Sequence, residues 1–194
     1  MAQVDISNKP SPHSHANRFR RLLWNCVYLT LFRPTLRPML RWRCFLLRCF
    51  GAKISKRARV YPKARIWAPW NLIMDDYATL SDHVDCYCVA PVRIGAHTTV
   101  SQYCFLCTAS HDHADKHFTL YSEPISIGPQ CWIAADVFVG PGVTIGEGTV
   151  VGARSSVFTG LPPWTVCWGT PAKVIRCRQC EGCSPTQGGS NNRK

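Results

Sequence analysis

Aliphatic residues recur every six positions through most of this chain. The register runs Ile54, Val60, Ile66 and Leu72, shifts by two to Met74 and Leu80, and resumes at Ile94, Val100 and Leu106. After an interruption it continues unbroken through Ile127, Ile133, Val139, Ile145, Val151 and Val157. Neither a heptad repeat nor a βαβ unit has this period. A six-residue unit is one short strand plus a tight turn, and three units make a triangular coil of about 18 residues. The aliphatic side chain points into the prism and stacks on its counterpart in the next coil. Gly95, Gly128, Gly140, Gly146 and Gly152 each follow an aliphatic, with Ser101 and Ala134 as small substitutes. They are expected at the corners, where backbone freedom matters. Four residues after the aliphatic comes a small or β-branched residue: Thr98, Cys104, Cys131, Val137, Val143, Thr149, Ser155. One coil cannot bury its own faces, so coils stack and both ends need caps. The expected fold class is all-β, a parallel β-helix of hexapeptide repeats over residues 52–176.

The region before the repeat is of a different kind. Residues 1–17 are polar, with Pro10 and Pro12, and are expected to be flexible. Residues 18–51 read as a pair of basic amphipathic α-helices. The first spans 18–33 and stops at Pro34, which lacks an amide donor. The second spans 38–50, with Pro38 in its first turn and Gly51 as its cap. Residues 1–66 carry 15 Lys and Arg against one acid, Asp5, whereas residues 67–194 carry 8 against 10 acids. The basic charge therefore belongs to one end of the molecule and not to a site in the repeat. Trp, Phe, Leu and Arg together describe a helix pair lying on a membrane surface, and equally one covering the open end of a β structure. Nucleic-acid binding is not expected, because these residues fall in apolar helical stretches and match no recognised motif.

The twelve cysteines are not spaced as a disulfide scaffold. The first fifteen residues have no apolar core of a signal peptide, and no run reaches the ~18–20 apolar residues of a membrane span. Free, mostly buried thiols in a reducing cytoplasm are expected. Cys177, Cys180 and Cys183 form a C-x2-C-x2-C run without an evident fourth ligand, so residues 177–194 are expected to be a disordered tail and no metal is expected.

The repeat breaks at residues 107–124, CTASHDHADKHFTLYSEP, a polar insertion with three histidines. Loops held by a rigid scaffold often carry function.

The [LIV]-G-x4 pattern resembles the hexapeptide-repeat acyltransferases, whose β-helix is left-handed. The stretches FRPTLRPMLRWRCFLLRCFGAKI (32–54) and PWNLIMDDYATLSDHVDCYCVAPVRIGAHTTVSQYCFLCTASHD (69–112) resemble the colanic-acid-type branch. PPWTVCWGTPAKVIR (162–176) resembles the usual end of the β-helix in maltose, galactoside and nodulation acetyltransferases. The resemblance implies O-acetyl transfer from acetyl-CoA to a hydroxyl of a sugar or glycan precursor, in exopolysaccharide assembly. It implies a homotrimer with the pantetheine arm lying between neighbouring subunits. It places the general base at the start of the inserted loop, on His111. A neutral imidazole can take the proton of a sugar hydroxyl as that oxygen attacks a thioester. Asp85, expected on the preceding coil, is the candidate orienter of the base or a substrate contact. By position, Ala135 and Ala153 would offer backbone contacts to acetyl-CoA, and Thr159, Lys173 and Arg176 would meet its phosphates or adenine. Ala134 and Ala135 stand where relatives have Gly or Ser, which removes a hydroxyl contact. Two other readings stand beside this one. One is a non-catalytic β-helix scaffold at a membrane surface. The other is a zinc carbonic anhydrase, which shares the fold but needs three converging histidines that His83, His97, His111, His113 and His117 do not pattern. A cytoplasmic protein, at the inner face of the membrane, fits the basic N-terminal end.

Overall fold

The computed structural model describes Val4, Ser7 and residues 14–179. Helix α1 spans His15–Val27, and the Ser14 hydroxyl caps it by accepting from the Asn17 amide at 3.2 Å. The chain continues through a π-helical turn, Tyr28–Phe32, and ends before Pro34. Helix α2 spans Leu40–Cys49 and starts two residues after Pro38. Gly51 follows with φ +91°, a left-handed value that closes the helix end at little cost for glycine.

The remainder is a parallel solenoid of about six turns with three faces. The first face stacks Lys53–Ile54, Leu72–Met74, Val92–Ile94, Ile125–Ile127 and Thr144–Ile145. The second stacks Arg59–Val60, Thr79–Leu80, Thr99–Val100, Trp132–Ile133, Val150–Val151 and Thr165–Gly169. The third stacks Arg65–Ile66, Asp85–Tyr87, Phe105–Cys107, Phe138–Val139 and Ser156–Val157. The chain closes with Ala172–Cys177, antiparallel to Thr165–Gly169, so Cys177 lies in a strand. Cys180, Cys183 and the rest of the tail lie outside the described residues.

The sequence period and the strand register agree. Ile127 pairs with Ile145, Ile133 with Val151, and Val139 with Val157, each a step of 18 residues. In the early coils the step is 20, as in Ile54 to Met74 to Ile94. The extra residues include the 3-10 turn Pro69–Asn71, which explains the phase shift; Leu72 is buried but the ladder position is Met74. From the third coil to the fourth the step is 33, Leu106 to Val139, and the excess is the inserted loop. All these aliphatics are buried, worth about 1.5–3 kcal/mol each. The small positions form a second inward ladder. Its hydroxyls find partners: Thr98 donates to the Gly128 carbonyl at 2.7 Å and Thr149 to that of Pro162 at 2.6 Å.

The glycines do a different job from the one expected. The left-handed corner lies three residues after the aliphatic, at Tyr77, His83, His97, Tyr103, Gln130, Asp136 and Arg154, with φ between +58° and +65°. Only Gly142 and Gly148 place glycine there. The glycines directly after the aliphatic instead permit close stacking of coils. A Cβ on Gly146 would lie 2.4 Å from the Pro163 nitrogen, and one on Gly95 would lie 2.5 Å from the Gly128 carbonyl carbon.

The helix pair covers the first coil, so the capping alternative holds. A solenoid leaves its terminal carbonyls open, one per face. Here the Trp24 indole donates to Ile66 O at 2.7 Å, Arg43 Nε to Val60 O at 2.7 Å, and Arg48 Nε to Ile54 O at 2.8 Å. These are the carbonyls of the three inward residues of coil one. Arg43 is fully buried and also donates to Thr35 Oγ1, Leu36 O and Arg37 O. Arg20 and Arg21 lie over the rings of Trp70 and Trp67. Part of the basic excess is thus structural. Among the described residues, no helix is long and apolar enough to cross a membrane.

Candidate active site

The inserted loop leaves the third face directly after Phe105–Cys107. Thr108 fixes its base: buried, it donates its hydroxyl to Tyr87 O at 2.8 Å and accepts from the Ala90 amide at 3.0 Å. The chain then forms a two-stranded hairpin, Ala109–His111 against Leu120–Ser122, with His111 opposite Leu120. Residues 112–119 are the turn. The Asp115 carboxylate organises it, accepting from the amides of His117 at 3.3 Å and Thr119 at 3.1 Å and from the Thr119 hydroxyl. The Thr119 hydroxyl bond first, then the His117 amide, holds the Asp115 carboxyl below the usual carboxylate range.

The turn aims a carbonyl at His111. Phe118 takes φ +47°, a left-handed value costly for a bulky residue, and its oxygen lies 2.6 Å from His111 Nδ1. A carbonyl can only accept, so Nδ1 carries the hydrogen, and in the neutral ring the lone pair lies on Nε2. The exposed imidazole is therefore held in the tautomer a general base needs.

Asp85 is not the partner of Nδ1. It lies on the third face beside Arg65, with 3.6 Å between carboxylate and guanidinium. It is half-buried, and that burial raises its pKa above the ordinary aspartate value while Arg65 pulls it back down. With Tyr28, Arg33, Lys63, Arg65 and His83 it lines a cavity of about 540 Å³ between the helix layer and the solenoid. The Phe118 carbonyl takes the orienting role because the hairpin brings it to the ring, whereas Asp85 faces the helices.

Ala135 and Ala153 fall in one column, since the strands before them pair Ile133 with Val151. The amide of Arg154 donates to Ala135 O at 3.0 Å, so that carbonyl is already engaged by the next coil. Ala153 is exposed and follows Gly152, leaving a smooth strip on the solenoid edge. Lys173 and Arg176 are exposed on the C-terminal strand, opposite Trp168 and Val166. The tip of that hairpin bonds Ser155, two residues from Ala153, through the Gly169 amide at 3.1 Å. Thr159 is exposed beyond the last third-face strand. A small-residue strip, with two cations on the adjoining hairpin that make no ion pair among the described residues, fits a long, phosphate-bearing acyl carrier. Among the described residues, no hydrogen bond or ion pair joins this group to His111 in one chain.

His83 and His97 occupy left-handed corners and stack on Tyr103 and Tyr77 at 4.9 and 4.8 Å. Among the described residues no three His, Cys, Asp or Glu side chains converge as a metal would need.

The pattern of the family described as bacterial transferase hexapeptide (six repeats) matches residues 124–159. The chain is 52% identical over 169 residues to WcaF of Escherichia coli K12, provisionally named a colanic acid biosynthesis acetyltransferase. That alignment covers 87% of this chain and 93% of WcaF. This chain belongs to the hexapeptide-repeat acetyltransferases. A hexapeptide-repeat acetyltransferase of Vibrio cholerae O1 biovar eltor, solved with acetyl-CoA, superposes with a TM-score of 0.78 at 26% identity. It covers 88% of this chain and 93% of its own. A galactoside acetyltransferase solved with CoA gives 0.75 at 25% identity, covering 93% of each chain.

Sequence reasoning missed three features of this candidate site. The Phe118 carbonyl is a backbone group and has no residue signature. Asp115 carries no motif that sets it apart from Asp112 in the same loop. A third feature was visible but unread: Trp67, Tyr87, Phe105, Phe138 and Phe158, one aromatic from each of five coils, form a ladder of ring contacts 5.4–6.5 Å apart along the third face.

Proposed function

We propose that this acetyltransferase moves acetyl from acetyl-CoA to a hydroxyl of a sugar or glycan precursor, in exopolysaccharide assembly of the colanic-acid type. The observation that carries the reading is the fixed tautomer of His111. Nε2 takes the proton of the acceptor hydroxyl as its oxygen bonds to the thioester carbonyl carbon. The carbon–sulfur bond then breaks, and the imidazolium returns the proton to the departing sulfur. The Nδ1–H bond to Phe118 O keeps the ring in place through both transfers and stabilises the cation between them. Positioning supplies the rest of the rate. Asp85 serves as an acceptor contact, its half-buried carboxylate suited to sugar hydroxyls, and Arg65 holds it in place. Ala135 and Ala153 let the pantetheine arm lie close to the backbone; Thr159, Lys173 and Arg176 meet the nucleotide end.

The active unit is a homotrimer. The aromatic ladder on the third face supports this reading: it is partly exposed, runs the length of the solenoid and borders the His111 loop. Closed cyclic assemblies are a common use for such a face. The enzyme works at the cytoplasmic side of the membrane, its basic N-terminal end toward anionic lipid. The test is thiol release from acetyl-CoA against a panel of nucleotide-linked and lipid-linked sugars. Release with at least one sugar, lost in His111→Ala, is expected. An intact protein that neither binds nor turns over acetyl-CoA would sink the proposal in favour of a scaffold.

A further inference from the structure

We infer that the cavity between α2 and the first coil, with the aromatic pair on its rim, is a docking site for a phospholipid of an anionic bilayer. This rests on, and gives a site to, the membrane-face reading above. The cavity has a volume of about 460 Å³ and is lined by Arg41, Arg48, Lys56 and Arg57. Four cations share it. Arg48 is committed to the carbonyls of Ile54 and Ser55. Arg57 pairs with Asp76 at 3.7 Å, the one carboxylate at this cluster among the described residues. Arg41 and Lys56 make no ion pair among the described residues. A concave surface with surplus positive charge is complementary to a phosphate group.

The rim is apolar. Arg41, Phe45 and Arg48 recur at helical spacing on α2, so a phenyl ring stands between two of the cations. Phe45 is 51% exposed and packs against Trp42, with ring centroids 5.7 Å apart. The Trp42 indole donates to Leu31 O at 3.0 Å, which sets the 47%-exposed Leu31 beside it. Cations in a hollow with Trp, Phe and Leu along its edge match the interfacial zone of a bilayer: headgroup phosphate in the hollow, acyl chains along the rim. A soluble polyanion has no use for the rim.

The orientation has a consequence. With α2 against the lipid, the third coil, which bears the His111 loop, stands two strand spacings of about 4.8 Å beyond the first coil and one helix diameter of about 10 Å above the surface. The base would then sit roughly 20 Å from the bilayer, within reach of a glycan anchored there.

Sedimentation with vesicles tests the site. One set is phosphatidylcholine alone; the other is a two-to-one mixture of phosphatidylcholine and phosphatidylglycerol. The full chain should pellet with the mixed vesicles and stay in solution with the neutral ones. Arg41→Glu with Lys56→Glu should weaken binding by at least about 25-fold, taking fivefold per basic residue removed. Phe45→Ser should weaken it about tenfold. Arg154→Glu, which reverses one charge far from this end, should bind vesicles like the wild type. The Arg41→Glu, Lys56→Glu and Phe45→Ser variants should keep thiol release with a soluble acceptor, which separates failure of this site from failure of the acetyl-transfer reading. Equal pelleting on both vesicle types, no pelleting on either, or a charge-reversed variant that binds like Arg154→Glu would overturn the proposal. So would calorimetric binding of inorganic pyrophosphate that depends on Arg41 and Lys56 while vesicles are ignored, since that marks a soluble-phosphate site.

Discussion

Arg43 gives the sharpest test of how the solenoid is closed. Arg43→Met keeps much of the stem and removes every donor. Four hydrogen bonds are lost, to Val60 O, Thr35 Oγ1, Leu36 O and Arg37 O, at 2.7–2.9 Å. Leu36 and Arg37 are exposed, so water can replace the guanidinium at their carbonyls. The Val60 carbonyl sits in the core under α2 and is left without a donor, a cost of about 1–3 kcal/mol. Losing the tie between α2 and the 35–37 turn adds about 1.5–3 kcal/mol, the net worth of a hydrogen bond to a charged group. Against this, methionine avoids the burial of a cation, which already lowers the Arg43 pKa through desolvation. That relief is real, because replacing buried charges by apolar groups is often neutral. Here it is the smaller effect, since the acceptor left behind has no other partner among the described residues. The expected net loss is about 2–4 kcal/mol. With a urea slope of about 2 kcal/mol/M, the unfolding midpoint falls by about 1–2 M at fixed protein concentration. Circular dichroism in a urea series measures it. An unchanged or higher midpoint would refute the idea that Arg43 closes the second face.

Other expectations follow from the same geometry. Gly146→Ala forces a Cβ to 2.4 Å from the Pro163 backbone and should cost about 1–3 kcal/mol, while Gly160→Ala, whose Cβ would only touch Thr144 O at 3.4 Å, should be near neutral in the same urea series. Asp115→Ala should lower kcat about tenfold with KM for acetyl-CoA little changed and the melting point intact, because it loosens the turn that presents Phe118 O to His111. The folded pKa of Asp115 is depressed, so its contribution is present above the unfolded value of about 3.9 and is lost as pH falls through the folded value; amide exchange at His117 and Thr119 should quicken only in that acid range. Lys173→Ala with Arg176→Ala should raise KM for acetyl-CoA about tenfold and leave kcat within about twofold, as steady-state kinetics would read.

Much of this architecture was legible before any coordinates. Ile133 to Val157 advance by six because each strand is two residues and each turn four, and that arithmetic survives in the pairing register. The break at 107–124 marked the loop for the same reason: fifteen residues beyond one coil have nowhere to go but outward. Other parts left no trace in residue type. His83, His97 and Arg154 adopt left-handed corners that the repeat pattern does not mark; in the fold the two histidines stack on Tyr103 and Tyr77, and Arg154 pairs with Asp136. Arg43 and Arg48 look like the charged face of a helix, because their carbonyl partners lie 17 and 6 residues away and only the fold brings them together. The orienter of His111 was sought among carboxylates. A strained turn supplies it from the main chain, where sequence carries no signal.

The central claim is that His111 takes the acceptor proton while Phe118 O holds its tautomer. The most direct measurement is single-turnover acetyl transfer from acetyl-CoA to a working acceptor, comparing the wild type with His111→Ala under saturating substrates. A fall of about 10²–10⁴ in the transfer rate, with acetyl-CoA binding unchanged by calorimetry, is the predicted result. A transfer rate within about twofold of the wild type would remove His111 from the reaction and contradict the account.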